Sequence, residues 1–390
     1  MIHRRHLLSL AAGTGLPGWA AAATASRPAS VADRVLVLVE LKGGNDGLNT
    51  VVPYADPAYA VLRPTLALKP DDLARLDERV GLHPSLAPLM PLWDRGEVAV
   101  LQGLGYPSPN LSHFRSIEIW DSASASDEYL DDGWVARAMA AGLRDRARFT
   151  TEGVALGSAG PGALRGARAV SIGNVEAFIA QSRLVRSAEG VGSPALAHVL
   201  RVEADVLQAA EGLRAQPATP LATEFPSGAF GQAVRATCRI VAGQAGQGGV
   251  PVFHLSLGSF DTHQSQAGTH ASLLKQLAEG LVALRSGLVE AGAWDRTLVL
   301  TYSEFGRRAR ENQSRGTDHG TAASHFALGG AVKGGLVGTM PELERLDATQ
   351  NLVHTSDFRQ VYATIARQWW GVPPEKVIRG RFDPLPFLRA

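Results

Sequence analysis

Four stretches of the chain are apolar almost without interruption: Val35–Leu41, 97–101, 250–257 and Thr297–Tyr302. A shorter one lies at 325–328. Such runs suit strands of a parallel sheet covered by helices on both faces, because neither face meets water. The first stops at Gly43-Gly44-Asn45-Asp46-Gly47, the second at Gly103 and Gly105, the fifth at Gly329-Gly330. Between the third and fourth runs, Leu273, Leu274, Leu277, Leu281, Leu284 and Leu288 recur at spacings of three and four, which predicts a helix. Strand, helix and strand in this order predict an α/β fold with a doubly wound, mostly parallel sheet.

Residues 175–248 break the pattern. Their periodicity predicts helices over 195–213 and 229–242, joined by polar segments at Ser193-Pro194 and 217–226. This part reads as a mostly helical insertion in a domain running from 34 to 390. A last helix is predicted over 358–370, with Val361, Ile365 and Trp369 on one stripe, and Trp369 and Trp370 read as core.

The amino terminus reads as an address. Arg4 and Arg5 precede an apolar run at 7–16, and Ala23-Thr24-Ala25 is a small-x-small cleavage signal. The run is too short for the roughly 20 residues of a membrane span. Residues 1–25 resemble a twin-arginine export signal, so a periplasmic or otherwise exported protein is expected. No other apolar stretch approaches that length, so no membrane span is expected.

Composition narrows the chemistry. With 390 residues, 45% of them hydrophobic, there is material for one large domain or two ordinary ones. Lys and Arg number 38 against 37 Asp and Glu, so no basic field exists for nucleic acid. The one cysteine, Cys238, excludes an internal disulfide and a Cys-rich metal centre. Eleven histidines leave imidazole and carboxylate to do any metal chemistry.

In a doubly wound sheet, ligands sit beyond the carboxyl ends of the strands. Asp46 follows the first run, Asp261 and His263 the third, and Glu304 the fourth; Asp318 and His319 precede the fifth. This donor set suits Zn²⁺, Mn²⁺, Mg²⁺ or Ca²⁺. The bland alternatives are an Asx-turn at Asp46 and an ordinary turn at Asp318-His319-Gly320. Arg307 is either an anion clamp or a solvated cation. After the second run a helix is predicted to open near Ser112, which is either its N-cap or a nucleophile. The adjacent His113 can be ligand or base. His83 and His254 read as structural, and His354 is open.

The segments LVLVELKGGNDGLNTVVPY, QGLGYPSPNLSHFRSIEIW, HLSLGSFDTH, LVLTYSEFGRR and GTDHGTAASHFALGG together resemble the exported domain-of-unknown-function 1501 family, across nearly the whole chain after the leader. That family is grouped with the alkaline-phosphatase-like phosphatases, sulfatases and phosphomutases. The resemblance implies a site for one or two divalent metal ions built from Asp46, Asp261, His263, Glu304, Asp318 and His319. It implies Ser112 as nucleophile, Arg307 on the anionic oxygens, and a small ester or anionic substrate carrying phosphate or sulfate. Phe305 stands where that superfamily has a metal-binding His, and the Asp261–His263 spacing is shorter than its usual pair. The rival expectation is an exported binding or assembly protein that keeps the fold without catalysis, with a protein partner.

Overall fold

Along Val35–Leu41 (β1), alternate side chains enter two separate cores. Val35, Val37, Val39 and Leu41 join one, while Leu36 and Leu38 join the other. Both sets are buried, which is why this strand reads as a continuous apolar run. The computed structural model describes residues 33–142, 149–157, 159–182, 200, 204, 206–211, 220–244 and 249–389.

The other strands of the main sheet are β2 (Val98–Gly105), β3 (Gly153–Leu156), β4 (Ala169–Ile172), β5 (Val252–Leu257), β6 (Thr297–Tyr302), β7 (Ala323–Leu328), β8 (Gly335–Val337) and β9 (Ser356–Asp357). Their order is β8-β2-β7-β6-β1-β5-β3-β4, with β9 also paired to β2. β7 runs antiparallel to both neighbours, and the other pairings are parallel. The expected α/β class with a doubly wound, mostly parallel sheet is therefore the one observed. All five sequence-predicted strands form, and β2 and β7 extend beyond their predicted bounds. Four strands of this sheet were missed, because runs of two to four residues carry no usable period.

Helices cover both faces. The ones used below are α1 (Gly47–Thr50), α2 (Pro57–Leu62), α3 (His113–Ser122), α4 (Trp134–Gly142), α5 (Ala229–Gly243), α6 (Gln266–Glu290) and α7 (Phe358–Thr364). α5 and α6 fill one layer through Val234, Cys238, Val241, Leu274, Leu281 and Leu288. α3, α4 and α7 fill the other through Ile119, Trp120, Trp134, Met139, Val361 and Tyr362. α5 thus belongs to the covering layer of the sheet and does not stand apart within 175–248. Most of the helix predicted over 195–213 lies outside the described residues, as does the 1–25 leader. The helix at the carboxyl end forms as α7 and continues as a π-helical turn to Trp369. Trp369 and Trp370 are core, as expected. Among the described residues no helix is long and apolar enough to cross a membrane.

This topology makes one rim. The loops after β1, β2, β5 and β6 leave the same edge of the sheet. Because β7 is antiparallel, the residues that enter it reach that edge too, with Ala323 opposite Leu104 near the end of β2.

Candidate metal centre

At this rim, Gly43 and Gly44 let the loop after β1 pass beneath its neighbours. Both have positive φ, 118° and 77°. A Cβ on Gly43 would lie 2.5 Å from the Asp261 amide nitrogen, and one on Gly44 2.4 Å from the Phe305 ring. Only glycine tolerates both the angle and the approach. Non-glycine strain gathers here as well. Ser108, Ser259, Ser265 and Arg315 all adopt positive φ on loops of this edge, a concentration typical of functional sites.

Three histidines converge on Asp261. His263 Nε2 lies 2.9 Å from Asp261 Oδ1, His319 Nε2 3.2 Å from the same oxygen, and the two Nε2 atoms 3.1 Å apart. His113 Nε2 stands 3.5 Å from Oδ2. His113, Asp261 and His319 place one donor atom each within 4.8 Å of one another, a grouping able to hold a metal ion.

The other ring nitrogens decide the tautomers. His319 Nδ1 is 2.8 Å from the Leu111 carbonyl, so Nδ1–H must donate. His263 Nδ1 faces Asp318 Oδ1 at 3.4 Å, and His113 Nδ1 faces Glu304 Oε1 at 2.8 Å. For His319, whose partner is a carbonyl, this assigns the proton to Nδ1 and leaves Nε2 as the lone-pair nitrogen of the neutral ring. His263 Nε2, His319 Nε2 and Asp261 Oδ1 crowd within 2.9–3.2 Å of one another, an arrangement that a cation between them would satisfy. A tetrahedral ion with ligands at 2.0–2.1 Å needs donor separations of about 3.3 Å, close to those observed. The donor set fits a divalent ion.

Electrostatics agree. Burial lowers the pKa of His319, favouring the neutral ring that can ligate. Burial alone would raise the Asp261 carboxyl, but the Arg307 hydrogen bond and charge outweigh it and hold it down to about 2. Glu304, bonded through a short link, raises the pKa of His113. Burial would raise Glu304, yet the bonds from His113 and the Gly43 amide leave it lowered.

The remaining sequence candidates separate into other roles. Glu304 and Asp318 contact imidazoles, at His113 and His263. Asp46 is buried in a different contact: Arg63 Nη1 donates to its Oδ2 at 2.5 Å, Gln266 Nε2 donates to the same oxygen, and Asp46 caps α1 through the Asn49 amide. The Asx-type reading therefore describes its geometry. Arg307 is also no free clamp. It is 1% exposed, and its guanidinium donates to the carbonyls of Gly43, Gly44, Phe260 and Thr317 and to Asp261. Its charge goes to joining four loop segments. Phe305 is buried with its ring centroid 4.9 Å from that of His113 and 4.5 Å from that of His319, a floor beneath the imidazoles.

Ser112 holds the N-cap position of α3, as the sequence predicts, but its side chain makes no capping bond. It is exposed, between Leu111, which anchors His319, and His113. His83 caps a short helical turn through Ser85, and His254 is buried against Tyr302 and Gly160. Both are structural, as read from sequence. His325 is buried on the sheet face against Trp120 and takes no part in the cluster. Sequence reasoning missed Arg63 and Gln266. Arg63 has no local signal, and Gln266 is marked only as a polar first residue of an apolar-striped helix.

The chain belongs to the family described as a protein of unknown function, DUF1501, whose model matches residues 175–380. No curated protein matches it. Similar solved structures include Ps i-CgsB, at 10% identity over 89% of this chain and 74% of that one, with a TM-score of 0.39. A protein in the alkaline phosphatase superfamily from Vibrio parahaemolyticus is 12% identical over 78% of this chain and 62% of its own, with a TM-score of 0.34. The C-terminal periplasmic domain of EcEptC from Escherichia coli, in complex with Zn, is 10% identical over 87% and 82%, with a TM-score of 0.38. Likenesses of that size carry no argument about this chain, whose fold class rests on its own sheet order.

Proposed function

We propose that this protein is an exported enzyme that binds one divalent metal ion through Asp261, His263 and His319 and cleaves or transfers phosphate or sulfate esters. The observation that carries the reading is the convergence of His263 Nε2, His319 Nε2 and Asp261 Oδ1 within 2.9–3.2 Å of one another, with His263 Nδ1 and His319 Nδ1 each facing its own acceptor. Such outer acceptors orient ligands and raise their basicity. Two imidazoles and one carboxylate favour zinc over magnesium or calcium, which prefer oxygen. One ion, and not two, fits this chain, because Arg63 already supplies the positive charge beside Asp46.

When bound, the ion supplies Lewis-acid polarisation of the ester and lowers the pKa of a nearby hydroxyl. Ser112, free of a capping bond at the start of α3, supplies the attacking Oγ. The first N–H groups of α3 point out of the same end, where an anionic oxygen is favoured. His113, held by Glu304, stands next to the nucleophile as the group that carries a proton to the leaving oxygen. Arg307 acts only by holding Asp261 and the surrounding carbonyls.

Ser112→Ala is expected to abolish turnover of p-nitrophenyl phosphate and sulfate while metal per chain stays unchanged. Undiminished turnover of either ester would remove Ser112 from the reaction. A second reading, a metal-binding protein without catalysis, is favoured by the commitment of Arg307 to backbone carbonyls. Wild-type protein that binds zinc yet turns over neither ester would select it.

Export rests on Arg4, Arg5 and the cleavage signal that follows. Replacing both arginines by lysine is expected to retain precursor in the cytoplasm. Normal export of that variant would exclude the twin-arginine route.

A further inference from the structure

Gln266 is the first residue of α6 and is completely buried. Its amide meets three site loops at once. Nε2 donates to Asp46 on the loop after β1. Oε1 accepts from Thr262 Oγ1 at 3.0 Å and from Thr317 Oγ1 at 2.6 Å. The acceptor-only carboxylate of Asp46 fixes which end of the amide is nitrogen. Thr262 lies between Asp261 and His263, and Thr317 lies two residues before His319. One amide therefore links the two segments that bring Asp261, His263 and His319 together. It does so from the end of a 25-residue helix packed into the core, so its own position is set by the fold.

The backbone reinforces the same junction. Thr317 N donates to Thr262 O at 3.2 Å, Ser265 N to Ser314 O at 2.9 Å, and Gln266 N to Arg315 O at 2.9 Å. Ser265 and Arg315, both at positive φ, turn the chain on either side of it. The carbonyl oxygen of Gln266 has two lone-pair directions, and both are used by hydroxyls. A side chain of the same length without the amide would keep the packing and lose all three links.

Resting on the metal reading above, we propose that Gln266 is the positioning residue of this centre: its amide sets the separation between the Asp261–His263 and His319 segments, and so the affinity for the ion. It touches neither ion nor substrate. Outer groups of this kind typically change metal affinity by about 10- to 100-fold.

The test is competitive titration of the full-length mature protein with Zn²⁺ against a chelator, with thermal melting of the metal-free form in parallel. Gln266→Met is expected to weaken zinc binding by about 10- to 100-fold. Thr317→Val, which removes a single link, is expected to weaken it less, and Thr317→Ser, which keeps the hydroxyl, to restore wild-type affinity. A purely structural role would lower the melting temperature without the Val and Ser variants parting in zinc affinity. If Gln266→Met does not fold, the Thr317 pair decides alone. Zinc bound by Thr317→Val as tightly as by Thr317→Ser and wild type overturns the inference and leaves the metal centre standing. Wild-type protein that binds no zinc overturns both.

Discussion

Asp261→Asn is expected to lose more than about 100-fold in zinc affinity, the upper end of what outer-group changes cost, because it removes a ligand and not a support. The substitution keeps the shape of the side chain. Its amide, however, brings an N–H donor or a neutral oxygen to the point where His263 Nε2 and His319 Nε2 meet at 3.1 Å. It also removes the negative charge facing Arg307, whose guanidinium keeps its four carbonyl partners. Ester turnover is expected to fall with the metal. The measurements are zinc content after dialysis and turnover with zinc in excess. Asp261→Asn protein that retains zinc as wild type does would mean that the convergence on Asp261 is an ordinary hydrogen-bonded cluster.

Arg63→Met is expected to cost about 3–5 kcal/mol of stability, the range for removing one partner of a buried ion pair. Arg63 and Asp46 have side-chain exposures of 0% and 1%. Arg63 also donates to Asn49 Oδ1 and to the carbonyls of Ala309 and Arg308, so its loss leaves several acceptors unpaired. The effect depends on pH with a definite sign. Burial alone would raise the Asp46 pKa, but the Arg63 charge outweighs it and leaves the folded value lowered. A lowered carboxyl contributes stability that is complete above its unfolded pKa of about 4 and is lost as pH falls through the folded value. In Arg63→Met the Gln266 and Asn49 hydrogen bonds remain but the Arg63 charge is gone, so the Asp46 pKa rises relative to wild type and protonation relieves more of the buried charge. The difference between wild type and variant is therefore expected to shrink as pH falls from the variant's raised folded value through the lowered wild-type one. Urea unfolding of both proteins at neutral and acidic pH measures it. A difference that stays constant, or grows, on acidification would show that Arg63 acts on Asp46 by packing and not by charge.

The same pair explains where the sequence-based view of the site stops. Asp46, Asp261, His263, Glu304, Asp318 and His319 can all be found from the chain, because each sits just past or just before an apolar run, and the rim of a doubly wound sheet is where such residues gather. Sorting them cannot be done that way. Glu304 and His263 are both polar residues in loops after strands, yet one binds His113 Nδ1 and the other brings its Nε2 to Asp261. Arg307 sits where an anion clamp is expected, but the loops around it turn their carbonyls inward, and those consume its donors. The sequence leaves Ser112 open between cap and nucleophile, and in the structure its side chain makes no capping bond.

By itself the sequence determines the α/β class, the five longer strands, the helix carrying the Leu273–Leu288 stripe, the start of α3 and the rim on which Asp46, Asp261, His263 and Glu304 lie. These follow from local pattern: an uninterrupted apolar run buries both faces, a three-to-four period buries one, and glycine or a cap ends each element. Only the tertiary structure decides that β7 runs antiparallel and brings His319 to the rim. It alone pairs Asp46 with Arg63, links Glu304 to His113, and ties the Asp261 and Thr317 loops through Gln266. The physical reason is distance along the chain. The His113–Glu304 and Gln266–Asp46 bonds join residues 191 and 220 positions apart, so the choice of partner depends on how the whole sheet closes and leaves no periodic trace nearby.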